Sequence, residues 1–185
     1  MKFSLSIVAL TSVLFGSACG LSHHLKDYGP VPDFSLVSQT GQKLTLADLK
    51  GKVWIADTFF TTCTGPCPMM SARMRRVGQS LGKFANVRLV SFTVDPAHDT
   101  PAVLLDYSKH FNAEPKRWYF LTGPQSLLNE VSMDGLHLSK VDGSLDHATT
   151  FALVDGKANV RGYYHPFDPK QLKQLTSDAE WLAGS

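Results

Sequence analysis

Cysteine is scarce in this chain: there are three in 185 residues, with Cys63 and Cys67 near neighbours and Cys19 alone close to the start. No run of lysine or arginine stands out, and the formal charge is only +2. Nucleic-acid binding therefore has no electrostatic footprint, and no nucleic-acid partner is expected. Internal repeats and low-complexity blocks are also missing, which leaves one domain plus a tail as the organisation suited to this length. Hydrophobic residues make up 43% and charged residues 18%, a balance that supports a packed core and excludes wholesale disorder.

The first segment, "MKFSLSIVALTSVLFGSACG", reads as a targeting sequence covering residues 1–18. Lys2 supplies a positive start, and Phe3 to Phe15 form an apolar core too brief to span a bilayer comfortably. Gly16, Ser17 and Ala18 are the small residues a signal peptidase needs, and cutting after Ala18 leaves Cys19 first. That arrangement resembles a bacterial lipoprotein signal, with Gly16 where leucine is usual; ordinary cleavage at the same bond is the alternative. A lipid thioether would also remove an odd thiol from an oxidising compartment. The expected location is the periplasmic side of a bacterial cell envelope, with the protein anchored to the membrane through Cys19.

Residues 19–32, rich in glycine and proline towards the end, read as a tether, and residues 33–185 as the folded domain. Alternation from Phe34 to Leu46 around "SQTGQ" predicts an N-terminal hairpin. The apolar runs Val53 to Phe60, Val87 to Val94 and Trp118 to Thr122 predict strands buried on both faces. Met70, Met74, Val77 and Leu81 recur at helical spacing, leaving Arg73, Arg75, Arg76 and Gln79 for solvent. Thr100 and Pro101 predict a helix start, with the helix running to about Phe111, and "PQSLLNEV" a short helix. "TTFALVDGKANVRGYY" predicts a hairpin with Asp155-Gly156 in its turn. Asp168, Pro169 and Gln171 predict a capping box that opens the last helix. The alternation of strands and helices implies an α/β sandwich with a mixed central sheet.

The stretch "TTCTGPCPMM" sits where the first buried strand hands over to a helix. A helix N-terminus favours thiolate over thiol, and Pro66 and Pro68 are tolerated in the first turn. Gly65 is expected to let the backbone turn tightly. Spacing alone permits a disulfide, and it equally permits both sulfurs to point at a soft ion such as Cu(I). Thiol peroxidase chemistry is excluded, since it needs a threonine three residues before the reactive cysteine and a proline further upstream. Phe60 and Ala56 stand there for Cys63, and Phe60 replaces the proline for Cys67.

"FFTTCTGPCP", "FTVDPAHDTP" and "DHATTFALVDGKANVRGYY" follow one another much as the blocks of the Sco/SenC family do. The chain resembles that family over most of residues 31 to 182. The family comprises membrane-tethered, thioredoxin-like proteins that bind copper and assist assembly of the copper centre of cytochrome c oxidase. The resemblance implies a thioredoxin-like sandwich with Cys63 and Cys67 as sulfur ligands and His147 as imidazole ligand, for Cu(I) or Cu(II). It also implies the copper-bearing oxidase subunit as partner, alongside a periplasmic copper chaperone and thiol–disulfide partners. Departures from the pattern are Ala148 for serine, Phe151 for tyrosine, and Met69-Met70 where an acidic residue is common.

Two functions follow as expectations. One is a metallochaperone that holds copper through Cys63, Cys67 and His147. The other is a thiol–disulfide oxidoreductase in which Cys63 and Cys67 form the redox-active pair and reduce the cysteines of a copper-accepting partner. Met69 and Met70 read as packing rather than ligands. His23 and His24 fall in the tether, and no chemistry is assigned to His98, His110, His137 or His165. Asp95 and Asp99 are read as fixing a turn and the helix start after it.

Overall fold

The computed structural model of the chain describes residues 24–145 and 147–185. The expected signal peptide, Cys19 and His23 lie outside the described residues. The hairpin is β1 (Ser35–Ser38) and β2 (Lys43–Thr45), followed by a short helix α1 (Leu46–Leu49). Next come β3 (Val53–Phe59), α2 (Cys67–Ser80), β4 (Val87–Thr93), α3 (Pro101–His110) and β5 (Trp118–Thr122). Then α4 (Gln125–Asn129) runs into a π-helical turn, Glu130–Gly135, before β6 (Phe151–Val154), β7 (Val160–Tyr164) and α5 (Pro169–Gly184).

The strands form one mixed sheet in the order β2-β1-β5-β4-β3-β6-β7. β3, β4 and β5 are parallel, and β1, β6 and β7 pair antiparallel with their neighbours. Alternation along β3 sorts two cores. Val53, Ile55 and Phe59 pack under Met70, Met74, Leu104 and Leu175 of the helices, while Trp54 and Ala56 join Phe92, Leu36 and Leu128 on the opposite face. Because β3 is buried along its whole length, it reads in the sequence as a continuous apolar run.

Several local expectations are refined or revised. The β6–β7 hairpin has Asp155 and Gly156 in its turn as expected, within a connection that spans 155–159, where Asp155 accepts the Lys157 and Asn159 N–H groups and Ala158 takes the left-handed conformation (φ 66°). Gln171 does not complete a capping box. Its amide bonds the Asp168 carboxylate and its carbonyl accepts the His165 N–H, while Asp168 caps Lys170. Thr45 and Asp48 do form one, at α1, where no helix is predicted.

Part of the stretch read as a tether is docked. Tyr28 and Val31 donate to Val160 and Ala158 of the last hairpin, and Val160 donates back to Gly29, each at 2.9 Å. Arg161 holds the carbonyls of Leu25 and Lys26 at 2.9 Å. The segment runs antiparallel to β7, so followed back from Val31 it leads towards the end of the sheet where β3 and β4 end and β6 begins.

Candidate metal centre

β3 ends at Phe59, and the Cys63 N–H donates to the Phe60 carbonyl at 3.3 Å, turning the chain over the end of the sheet. α2 starts at Cys67, with Pro66 in helical conformation before it and the Met70 N–H closing onto the Pro66 carbonyl at 2.9 Å. Fully buried Met70 and Met74 anchor that first turn, which buries Cys67 and leaves Cys63 less buried. Met69 is 58% exposed. Gly65 does not use its freedom: its φ is not positive, and a Cβ there would meet only the Cys63 sulfur at 3.9 Å.

The parallel strands β3 and β4 place their C-terminal ends at one edge, where α/β sheets present ligand sites. Antiparallel β6 begins at the same edge, so the loop before it delivers His147 there. His147 Nε2 lies 3.3 Å from the Cys67 sulfur and 3.8 Å from the Cys63 sulfur, and the ring meets the Phe60 ring edge-on at 5.6 Å. The three donor atoms all lie within 4.8 Å of one another. Ligands about 2.0–2.3 Å from one ion stand at most about 4.6 Å apart, so a shared ion needs only small adjustments. Both cysteines are free thiols. Two thiolates and an imidazole suit a soft or borderline ion such as copper.

Among the described residues no other histidine joins the cluster, although the His98 ring meets the Thr61 hydroxyl of the cysteine loop at 3.3 Å. His110 and His137 bond carbonyls one helical turn back, and His165 lies at the start of α5. Asp99 does more than start a helix. Fully buried, it accepts the Thr61 N–H at 3.2 Å, the Thr61 and Thr93 hydroxyls at 2.5 Å, and faces His98 at 3.2 Å. It therefore ties the loop leading to Cys63 onto β4 and the start of α3. Sequence reading misses this because the two ends lie 38 residues apart and share no local pattern.

At Cys67 burial works against the thiolate expected at a helix N-terminus. Burial pushes the Cys67 thiol well above its usual range, the neighbouring Cys63 and Asp57 add to this, and a backbone hydrogen bond with Phe60 pulls only partly back. Desolvation is the largest of these influences. Beneath the pair, burial pushes the Asp57 carboxyl up to about 7, offset in part by Ser91 opposite it.

The SCO1/SenC family profile matches residues 25–183. The chain belongs to the SCO1/SenC family. Among solved structures, a SCO1/SenC family lipoprotein from Bacillus anthracis is 31% identical, with a TM-score of 0.76, covering 83% of this chain and 95% of its own. BsSco, described as a cytochrome c oxidase assembly protein with a disulfide switch, is 30% identical with a TM-score of 0.76, covering 87% of this chain and 96% of its own. ScoI of Arabidopsis thaliana, solved with copper bound, is 25% identical with a TM-score of 0.66, covering 80% and 94%. Like these SCO1/SenC relatives, the chain has the thioredoxin-like architecture expected from its sequence.

Proposed function

We propose that this SCO1/SenC protein holds copper through Cys63, Cys67 and His147 and serves assembly of the copper centre of cytochrome c oxidase. The observation that carries the reading is the convergence of one imidazole nitrogen and two thiol sulfurs within 4.8 Å. The copper-bound Arabidopsis relative and the assembly role stated for BsSco support it. Bound copper is cargo here, and Cys63, less buried than Cys67, offers a partner the route to exchange ligands. The oxidase subunit that receives copper, a periplasmic copper chaperone and thiol–disulfide partners are the proposed contacts. Residues 1–18 act as a signal peptide, and Cys19 as a lipid anchor on the periplasmic side of the bacterial envelope. No helix of the described residues is long and apolar enough to cross a membrane; the Bacillus anthracis lipoprotein supports anchoring by lipid.

A titration of the reduced protein with Cu(II), wild type against His147→Ala, tests the copper reading. The expected result is a loss of affinity exceeding the roughly 10- to 100-fold typical when a metal ligand's outer partner is removed. An unchanged affinity and electron-spin spectrum would overturn the reading. Thiol–disulfide exchange is the second reading, favoured by two free neighbouring thiols of unequal exposure and by the disulfide switch of BsSco. In that reaction the Cys63 thiolate attacks a partner disulfide and releases one partner thiolate. Cys67 then attacks the mixed disulfide, releasing the second partner thiol and leaving Cys63–Cys67 oxidised.

A further inference from the structure

Ser139 lies in the loop between the π-helical turn and β6 and is 5% exposed. Ser132, at the π turn, grips its backbone twice: the Ser132 hydroxyl donates to the Ser139 carbonyl at 2.6 Å and accepts the Ser139 N–H at 3.2 Å. The Ser139 hydroxyl then has one donor and two acceptor positions to spend. It accepts the Ala148 N–H at 2.6 Å and pairs with the fully buried Thr58 hydroxyl at 2.7 Å. The Ala148 N–H belongs to the rigid peptide plane that carries the Cα of His147. Thr58 belongs to β3, the strand that delivers Cys63. One hydroxyl therefore references the imidazole to the strand that also presents the sulfurs.

We infer that Ser139, backed by Thr58, is a positioning residue that latches the His147 loop over the cysteine pair. The inference rests on the copper reading above. The latch touches no ligand atom, and it holds only the imidazole arm of the site. Cu(I), content with two thiolates, depends on it little, whereas Cu(II), which draws on the imidazole, depends on it strongly.

The test uses the full chain with Ser139→Ala, Thr58→Val and His147→Ala in parallel. Amide hydrogen exchange at Ala148 is read without metal, then Cu(I) and Cu(II) affinities and the Cys63–Cys67 dithiol–disulfide potential. Expected for Ser139→Ala are faster Ala148 exchange, Cu(II) affinity lower by about 10- to 100-fold, and an unchanged Cu(I) affinity and potential. Thr58→Val shifts the same readings in the same direction by less, and it decides the matter if Ser139→Ala fails to fold. Unchanged Cu(II) affinity in a folded Ser139→Ala protein, with His147→Ala still impaired, overturns the latch alone. So does a parallel fall of Cu(I) and Cu(II) affinity in step with melting temperature. A His147→Ala protein that binds Cu(II) like wild type overturns the copper reading itself, and the latch with it.

Discussion

Asp57 shows at the scale of a single residue how burial can outweigh intrinsic chemistry. Its carboxyl rises from 3.8 to about 7 because the folded chain desolvates it. The folded state thus binds a proton that the unfolded chain releases, so the stability Asp57 contributes is full below pH about 4 and is lost as pH rises through about 7. About three units correspond to at most about 4 kcal/mol. Asp57→Asn should abolish that loss, so denaturant unfolding at pH 5 and pH 8 should separate the wild-type values but not the variant's. Equal wild-type stability at the two pH values would contradict this. The sequence shows Asp57 only as a polar interruption of an apolar run. Its depth comes from its place in a central strand buried along its whole length, which no local pattern encodes. Cys63 and Cys67 are legible for the opposite reason, since their spacing and place before a helix are local. The upward shift of the Cys67 thiol is not legible, because burial is its largest cause.

Elements were most legible where one periodicity or one cap decides them. β3, β4 and β5 are apolar runs of strand length, and α3 opens on Thr100 and Pro101 as anticipated. The π-helical turn after α4 was not anticipated, since the "PQSLLNEV" pattern suits one plain helix. Packing explains part of its demand: a Cβ on Gly135 would collide with the Pro32 ring, whose Cγ it would meet at 3.2 Å. Only glycine lets the turn lie against the N-terminal segment there. Gly135→Ala should therefore cost roughly 1–3 kcal/mol, as overpacking of a rigid contact does, and should lower the thermal midpoint. A midpoint equal to wild type would show that the segment yields freely. At residues 155–159 the Asp155 side chain organises the turn of the expected hairpin, which runs longer than its Asp155-Gly156 pair.

At the scale of the whole molecule, the N-terminal segment docks along β7, with residues 28–31 beside residues 158–160 at the end of the strand away from the site. Arg161 holds that segment, bonding the carbonyls of Leu25 and Lys26 while paired with Asp155 at 2.8 Å. Arg161→Ala should release residues 25–31 with a local loss of roughly 1–3 kcal/mol. Amide exchange at Tyr28 and Val31 should then quicken while copper affinity stays unchanged; slow exchange at both amides would refute the clamp. The sequence by itself determined the order of the strands and helices, most of their ends, and a cysteine pair at a strand-to-helix junction. These follow from periodicity, capping and spacing, which act over a few residues. Only the tertiary structure decided that His147 meets Cys67 across 80 residues. That meeting requires antiparallel β6 to begin where parallel β3 ends, which pairing between distant segments settles.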